Sequence, residues 1–505
     1  MPKKKIPAQH LVLLAPSVTS ILLGTTLLTT SLSWMVFVGL CPLIAFCYAS
    51  SSLSKKQIFW SMYVAGVIYF CFSFACILQT SPNRWTELDG AFATIVKILI
   101  WLLISLAMGS QFAMLGLCIN RLKHAADRLI SLLPVAWIGC ELLRNYLFAF
   151  INYGPGASIG PNWNLGNLGA TAAGTPLVFM ARFVGLYGLS LAVVLINIAV
   201  YCFMKRDFRS GIAVLLPIAL LTTIAWRSYQ PSQKSISIAA IHFVSDEPIK
   251  SSDQLPKLAK PVDILVLPEY SRIFDTPDYS SYATTNLTKN GTIVTTVEAG
   301  SKPPTNQLTF YSQSTGFISK QDKTFLVAGG EYEPYLVQAI FFGLGRSYIT
   351  KSFNDTQQIH RGYIAERPVR APNVTIGALA CSGVINISEY QRLTKAGAEV
   401  LANPASLSLL NSASSYHIQE TYLTRFHAVA NARPFVQASR SGQSFILSSD
   451  GRRLNSSGEE LSAITHDVRA PKQRTVYSLF GELSSLLLAA VYLSALIWQS
   501  RLNRN

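Results

Sequence analysis

Charge is what this sequence has least of: 13% of its 505 residues are Asp, Glu, Lys or Arg, against roughly a quarter in an ordinary soluble protein. With 50% hydrophobic residues and a mean hydropathy of +0.32, too little polar surface remains for a soluble chain of this length. A membrane protein is expected. Compositional repeats and long polar tracts are missing, which excludes a fibrous or disordered chain. The seven histidines show no ligand spacing, so neither a metal nor a dissociable cofactor is expected. No A-x-A-like site follows the first apolar stretch, so no cleavable signal peptide is expected. A net charge of +16 could serve a nucleic acid, but its distribution excludes that partner. Residues 228–475 hold 24 Lys+Arg against 20 Asp+Glu, and the remaining excess sits in short clusters between apolar runs, as membrane topology requires.

Those apolar runs, long enough to cross a bilayer at about 20 residues each, lie near 11–30, 33–51, 57–78, 91–119, 129–150, 182–204, 211–227 and 476–498. They divide the chain into a membrane block of about seven helices (1–227), a polar domain (228–475), and a closing helix with a short tail (476–505). The basic residues orient it. Lys3, Lys4 and Lys5, then Lys55 and Lys56, then Arg121, Lys123 and Arg128, then Lys205, Arg206 and Arg209, and finally Arg501 and Arg504 fall in alternate connections. The other connections carry Arg84 in one case and no Lys or Arg from 152 to 181. Retention of Lys and Arg in the cytoplasm puts both termini inside and the polar domain outside. Seven cysteines lie in apolar spans, and Cys381 is alone in the polar domain. A disulfide framework there is excluded, and a lone thiol in an oxidising compartment is a liability unless it is used.

Within the polar domain, strands are expected at 236–241, 264–267, 292–296, 308–312, 325–328, 375–380, 400–402, 435–438 and 444–447, with helical patterning at 388–397 and 416–432. Apolar runs without alternation suit strands buried on both faces, hence a layered α/β sandwich. Three polar groups follow such runs. Glu269 ends V-D-I-L-V-L-P-E, Lys323 opens K-T-F-L-V-A-G-G-E-Y-E-P, and Cys381 ends T-I-G-A-L-A-C. Strand ends are where α/β sheets build their sites. A thiol with an ordinary pKa of about 8.5 needs a base to become a nucleophile. A carboxylate can take its proton, and an ammonium can hold the oxyanion of the tetrahedral intermediate.

Glu, Lys and Cys in this order resemble the triad of the nitrilase superfamily, and within it the match is to the membrane-bound apolipoprotein N-acyltransferases. The 323–334 stretch is similar to that family's K-x-x-L-V-P-F-G-E-Y-x-P, which gives Lys323 as the triad lysine and Glu331 as its supporting carboxylate. In the membrane block, W-I-G-C-E-L-L-R (137–144) and G-L-Y-G-L-S (185–190) resemble family motifs, as do R-F-H-A-V-A-N-A-R-P (425–434) and S-G-Q-S (441–444) downstream. The resemblance implies a multi-pass α-helical membrane protein with an extracytoplasmic nitrilase-like αββα domain, acting as a monomer in a bacterial inner membrane. It implies N-acylation of the diacylglyceryl-cysteine that begins a lipoprotein, from a membrane phospholipid, with Glu269 as base, Lys323 at the oxyanion and Cys381 as nucleophile. Three stretches depart from the family pattern: Ser382-Gly383 stand where an aromatic and a Glu are usual, Ala430 where a helix carries Glu, and Asn403-Pro404-Ala405-Ser406 where an N-D-x-W-F-type stretch is usual. The alternatives are a membrane-tethered amidase, whose acyl acceptor is water, and an inactive lipid-binding scaffold.

Glu141 and Arg144 lie three apart inside the fifth span, on one helix face. Charges there are costly and pair internally or face a cavity. One reading is an ion pair that fixes helix packing. The other makes both residues substrate-binding, with Arg144 near lipid head groups and the uncharged 152–176 segment, including Trp163, at the interface.

Overall fold

The computed structural model describes residues 9–502 apart from 81–89, 230–233, 245–248, 250, 301, 411–413, 458–460 and 472. Lys3, Lys4, Lys5, Arg84 and Arg504 lie outside the described residues. The N-terminal part is helical: α1 (Gln9–Thr25), α2 (Cys41–Ala49), α3 (Lys55–Ser73), α4 (Gly90–Met108), α5 (Ser110–Leu122), α6 (Ala126–Ile151), α7 (Leu168–Ala172), α8 (Ala181–Met204) and α9 (Phe208–Arg227). Five stretches are long and apolar enough to cross a membrane: Thr30–Ser52, Lys55–Gln79, Ala93–Leu122, Pro176–Met204 and Phe208–Arg227. Two apolar helices, His10–Thr25 and Leu483–Gln499, are shorter. The 26-residue α6 carries Asp127, Arg128, Glu141 and Arg144.

Local chemistry sets these helices. Ser54 and Gln57 form a reciprocal capping box at the start of α3, each side chain accepting from the other's backbone N–H, which satisfies two orphan donors. On α9, Phe208, Ile212, Leu216, Leu220 and Ile224 recur every fourth residue and are all exposed, while Ile218 and Ala225 turn inward. A large apolar stripe facing outward is what lipid requires and water forbids.

The second part forms one twelve-stranded sheet: β1 (Ser235–Phe243), β2 (Val262–Val266), β3 (Leu287–Ala299), β4 (Thr305–Ser312), β5 (Gly316–Asp322), β6 (Val369–Arg370), β7 (Thr375–Ala378), β8 (Val400–Ser406), β9 (Phe435–Arg440), β10 (Ser444–Leu447), β11 (Arg453–Ser457) and β12 (Leu461–Arg469). Its path runs β5-β4-β3-β2-β1-β9-β8-β7-β6, with β12 antiparallel along β1 and β10-β11 beside β9. Strands β1 and β9 meet only at Phe243 and Arg440, and there the sheet folds over. Ile236, Ile238 and Ala240 of β1 share an apolar layer with Val400 and Ala402 of β8 and Val436 of β9. Alternation sends Ala239 and Ile241 the other way, onto Tyr282 and Ala283 of α10 (Tyr279–Asn286). On the far side, α13 (Ile387–Lys395) and α14 (Ser414–Asn431) cover the sheet. In the chain, α11 (Tyr335–Gly343) and α12 (Ser347–Thr356) connect β5 to β6. Tyr390, Leu393, Leu423 and Phe426 join one continuous core with Leu168, Leu177 and Val184 of the membrane block. The layers are helix, sheet, sheet, helix, and the last helix layer rests on the membrane helices. The chain closes with α15 (Val476–Phe480) and α16 (Leu483–Leu502).

One strand expectation fails. Residues 325–328 form a turn with a single bridge from Ala328 to Tyr332, because Glu331 folds back to accept from the Val327 N–H at 2.9 Å. Strands β5, β6, β11 and β12 were not expected, since β6 has only two residues and the mixed polar surfaces of the others leave few buried positions to read.

Candidate active site

Glu269 stands two residues beyond Leu267, where the chain leaves β2 and turns through positive φ at Tyr270 and Arg272. Its backbone N–H donates to the Ala405 carbonyl of β8 at 3.3 Å, so the two sheet halves fix it together. Lys323 is the residue after β5, and its N–H donates to the Asn306 carbonyl at 2.8 Å. Asn306 of β4 also turns its amide onto Glu269, with Nδ2 donating to Oε1 at 2.6 Å. One strand residue thus sets both partners.

The Lys323 ammonium lies between two carboxylates, at 3.2 Å from Glu269 Oε1 and 2.7 Å from Glu331 Oε1. Glu331 spends its other oxygen on the Val327 N–H. Glu269 and Lys323 are each only 2% exposed. Burial alone would drive the Lys323 proton off, but Glu269, Glu331 and the nearby thiol hold its affinity above that of an ordinary lysine. Burial raises the Glu269 carboxyl, a shift that Lys323 opposes and Glu331 reinforces. A buried carboxylate with raised proton affinity is a better base than one in water.

Cys381 opens the turn Cys381–Ile385 after β7, with φ of +42°. A non-glycine residue there is uncommon and strained, and such strain gathers at functional sites. The Asn403 side chain of β8 holds the turn's entry, donating to the Leu379 carbonyl at 2.7 Å and the Cys381 carbonyl at 3.2 Å. Ser382 donates to the Phe325 carbonyl at 2.8 Å, tying the Cys381 turn to the segment after Lys323. A Cβ at Gly383 would lie 2.5 Å from that of Leu379, so no carboxylate can stand there without moving the strand end. Burial pushes the Cys381 thiol up, Glu269 adds to the shift, and Lys323 opposes it. The resting sulfur is therefore a thiol that donates to the Ser406 carbonyl of β8 at 3.4 Å, within the electrostatic influence of Glu269 and Lys323.

The structure brings Glu269, Lys323, Glu331 and Cys381 into one cluster. It puts Glu141 and Arg144 elsewhere, fully buried on α6. Glu141 accepts from Trp137 Nε1 at 3.0 Å and from the Leu168 N–H at 2.7 Å, and Arg144 donates to the Leu165 carbonyl and the Asn167 side chain. Both bind the 164–168 segment. Trp163 is buried too, its ring 5.1 Å from those of Phe148 and Phe325. Asn306 and Glu366 went unread in the sequence, and Asn403 was read only as the start of a stretch that departs from the family motif. Glu366 accepts from the Thr324 N–H at 3.0 Å and hydroxyl at 2.6 Å, bracing the residue after Lys323. For Asn403 the signal was a lone polar residue amid apolar strand positions, whereas Asn306 has polar neighbours along β4 and Glu366 lies in no strand. Among the described residues, no three His, Cys, Asp or Glu side chains are grouped to hold a metal ion.

Residues 19–199 match the model of the apolipoprotein N-acyltransferase N-terminal domain. The apolipoprotein N-acyltransferase of Geobacter metallireducens is 25% identical over 405 residues, covering 71% of this chain and 73% of that protein. That of Rhodopirellula baltica is 25% identical over 177 residues, covering 34% of this chain and 27% of that protein. Among solved structures, a carbon-nitrogen hydrolase from Helicobacter pylori is 14% identical with a TM-score of 0.34, covering 46% of this chain and 89% of its own. The C. elegans NitFhit protein is 13% identical with a TM-score of 0.36, covering 47% and 61%.

Proposed function

We propose that this chain, a member of the apolipoprotein N-acyltransferase family of acyltransferases, moves an acyl group from a membrane phospholipid to the α-amine of a lipoprotein's diacylglyceryl-cysteine. The observation that carries the reading is the buried Lys323 between Glu269 and Glu331 beside a strained Cys381. In the first half, Glu269 takes the thiol proton and Cys381 Sγ attacks the ester carbonyl. Lys323 faces the oxyanion. The C–O bond breaks, the proton passes from Glu269 to the leaving alkoxide, and a lysophospholipid departs from a Cys381 thioester. In the second half, the free amine attacks the thioester and Glu269 accepts its proton. The C–S bond breaks, and the sulfur regains a proton from Glu269 as the amide leaves. Glu331 keeps Lys323 in place and turns the 323–331 segment. We assign residues 1–227 to the membrane block, 228–475 to an extracytoplasmic catalytic domain and 476–505 to the closing helix and cytoplasmic tail. Both termini then face the cytoplasm of a bacterial inner membrane, and the chain acts as a monomer.

Incubation with phospholipid alone tests this, because without an acceptor amine the thioester accumulates. Intact mass should show one acyl group on Cys381, released by hydroxylamine. Cys381→Ala should carry none, and Glu269→Gln should acquire it very slowly. Lys323→Ala should lose about 3–4 kcal/mol of transition-state stabilisation, a hundred- to thousandfold in rate. A wild-type chain that never acquires the adduct, where the Geobacter protein does, would overturn acyl transfer in favour of a lipid-binding scaffold. Free fatty acid as the only product, with acceptor present, would make the chain a hydrolase.

A further inference from the structure

The uncharged 152–176 segment has a place in the fold that its composition does not reveal. It leaves α6 and runs through a polar cluster buried between the membrane helices and the catalytic domain. Asn145 of α6 donates from Nδ2 to the Tyr187 hydroxyl at 2.8 Å and to Asn164 Oδ1 at 3.3 Å. Asn164 then donates from its own Nδ2 to the Ile385 carbonyl at 3.1 Å. Ile385 is the last residue of the turn that Cys381 opens. The carbonyl just before it, on Val384, accepts from His427 Nε2 of α14 at 2.8 Å. The far end of the nucleophile turn is therefore gripped by one side chain from the catalytic domain and one from the membrane block.

We propose that Asn164 is a positioning residue for Cys381: through its single planar amide, the polar cluster of α6 sets where the nucleophile turn sits. Three features carry this. Asn145 and Asn164 are both 0% exposed, so neither amide has water as a substitute partner, and losing one leaves buried groups unsatisfied. An amide carries acceptor and donor on one rigid plane, so a shift of Asn145 is passed to Ile385. The segment cannot drift, because Arg144 holds Leu165 and Asn167 and Glu141 holds Leu168. The costly intramembrane charges thus anchor a relay that ends at the nucleophile. The inference uses the acyl-transfer reading for its consequence, but the position of the sulfur can be measured without lipid.

The test uses the full chain in detergent or nanodiscs and follows iodoacetamide alkylation of Cys381 by peptide mass, beside acyl-enzyme formation. Asn164→Ala should slow both roughly three- to tenfold, the size of one buried hydrogen bond, with the half-saturating phospholipid concentration unchanged. The Asn145→Ala/Asn164→Ala double variant should be no slower than Asn164→Ala, since both residues act through one relay. Wild-type rates in a variant whose only change is a lower unfolding temperature would overturn the proposal, as would additive losses in the double variant. If Asn164→Ala does not fold, Asn164→Asp carries the test. It keeps the shape and the acceptor but sets an oxygen against the Ile385 carbonyl, so an unchanged alkylation rate would overturn the relay. A wild-type chain that alkylates at Cys381 yet never takes an acyl group would sink acyl transfer while leaving the relay intact.

Discussion

At the scale of single residues, buried charge decides what the site can do. Two carboxylates around one ammonium leave a net negative site, which adds to burial in keeping the proton on Cys381. The Glu, Lys and Cys of this cluster were legible because each ends or opens a recognisable stretch. The asparagines were not: Asn164, Asn306 and Asn403 act through folding contacts with residues far away in sequence, and no spacing announces them. His427 belongs with these. Its ring stacks on Phe435 and packs on Tyr390, and burial pushes its pKa down to about 4 from an ordinary 6.5. The neutral ring is the form that donates Nε2–H to the Val384 carbonyl while leaving Nδ1 bare. Because the folded pKa lies below the unfolded one, the unfolded chain binds the extra proton between the two values. Stability should therefore be full above pH 6.5 and fall by about 3 kcal/mol as pH drops from 6.5 to 4. Chemical unfolding in detergent across this range should show the fall, and His427→Gln should flatten it. An identical slope in the variant would assign the loss to other groups.

At the scale of elements, α8 is two helices joined at Gly185, whose φ of +65° no other residue adopts cheaply. The break leaves the N–H groups of Leu186 and Tyr187 without helical partners, and the Glu482 carboxylate just before α16 accepts both, at 2.7 and 3.2 Å. A negative group at a helix start is favourable twice, by hydrogen bonds and by the helix dipole. The final helix is thereby clamped to the centre of the bundle. G-L-Y-G-L-S was readable as a motif, but its partner lies almost 300 residues away and was invisible. The 325–328 turn was misread for a related reason: its apolar run looks like a strand, and only Glu331 folding back reveals a turn. Gly185→Ala meets both obstacles, since a Cβ there lies 2.6 Å from Glu482 Oε1. It should cost at least about 1 kcal/mol from backbone strain alone, read as a lower unfolding temperature of the detergent-solubilised chain. Glu482→Ala should lose stability by a similar route but tolerate a second change at 185 better than the wild type does. Additive losses in the double variant would separate the two residues.

At the scale of the whole molecule, the question is which compartment the Glu269–Lys323–Cys381 cluster faces. The membrane block and layered domain were legible from hydropathy and unbroken apolar runs, whereas their shared core needed tertiary contacts between α14 and α7–α8. Arg182 shows how close that union is, donating to the Val429 carbonyl of α14 and the Ala225 carbonyl of α9. From Arg182, α8 runs its length to Met204, about 30 Å or more of helix and so comparable to the apolar core of a bilayer. The basic group Lys205, Arg206 and Arg209 stands at that far end, and the Cys381 turn, joined to Tyr187 through Asn145 and Asn164, at the near one. Tyr363 shares the cluster's side: it is 98% exposed and follows Gly362, whose N–H donates to the Lys323 carbonyl at 2.8 Å. A label at 363 therefore reports the compartment of the site, and one at 209 the opposite face. If the basic residues are retained in the cytoplasm, Tyr363→Cys should react with a membrane-impermeant maleimide in intact cells whose outer barrier has been opened. Arg209→Cys should react only after the inner membrane is permeabilised. The reverse pattern would invert the chain and overturn the proposed extracytoplasmic placement of the site. Reaction of both without permeabilisation would mean that α8 does not separate the two ends across a bilayer.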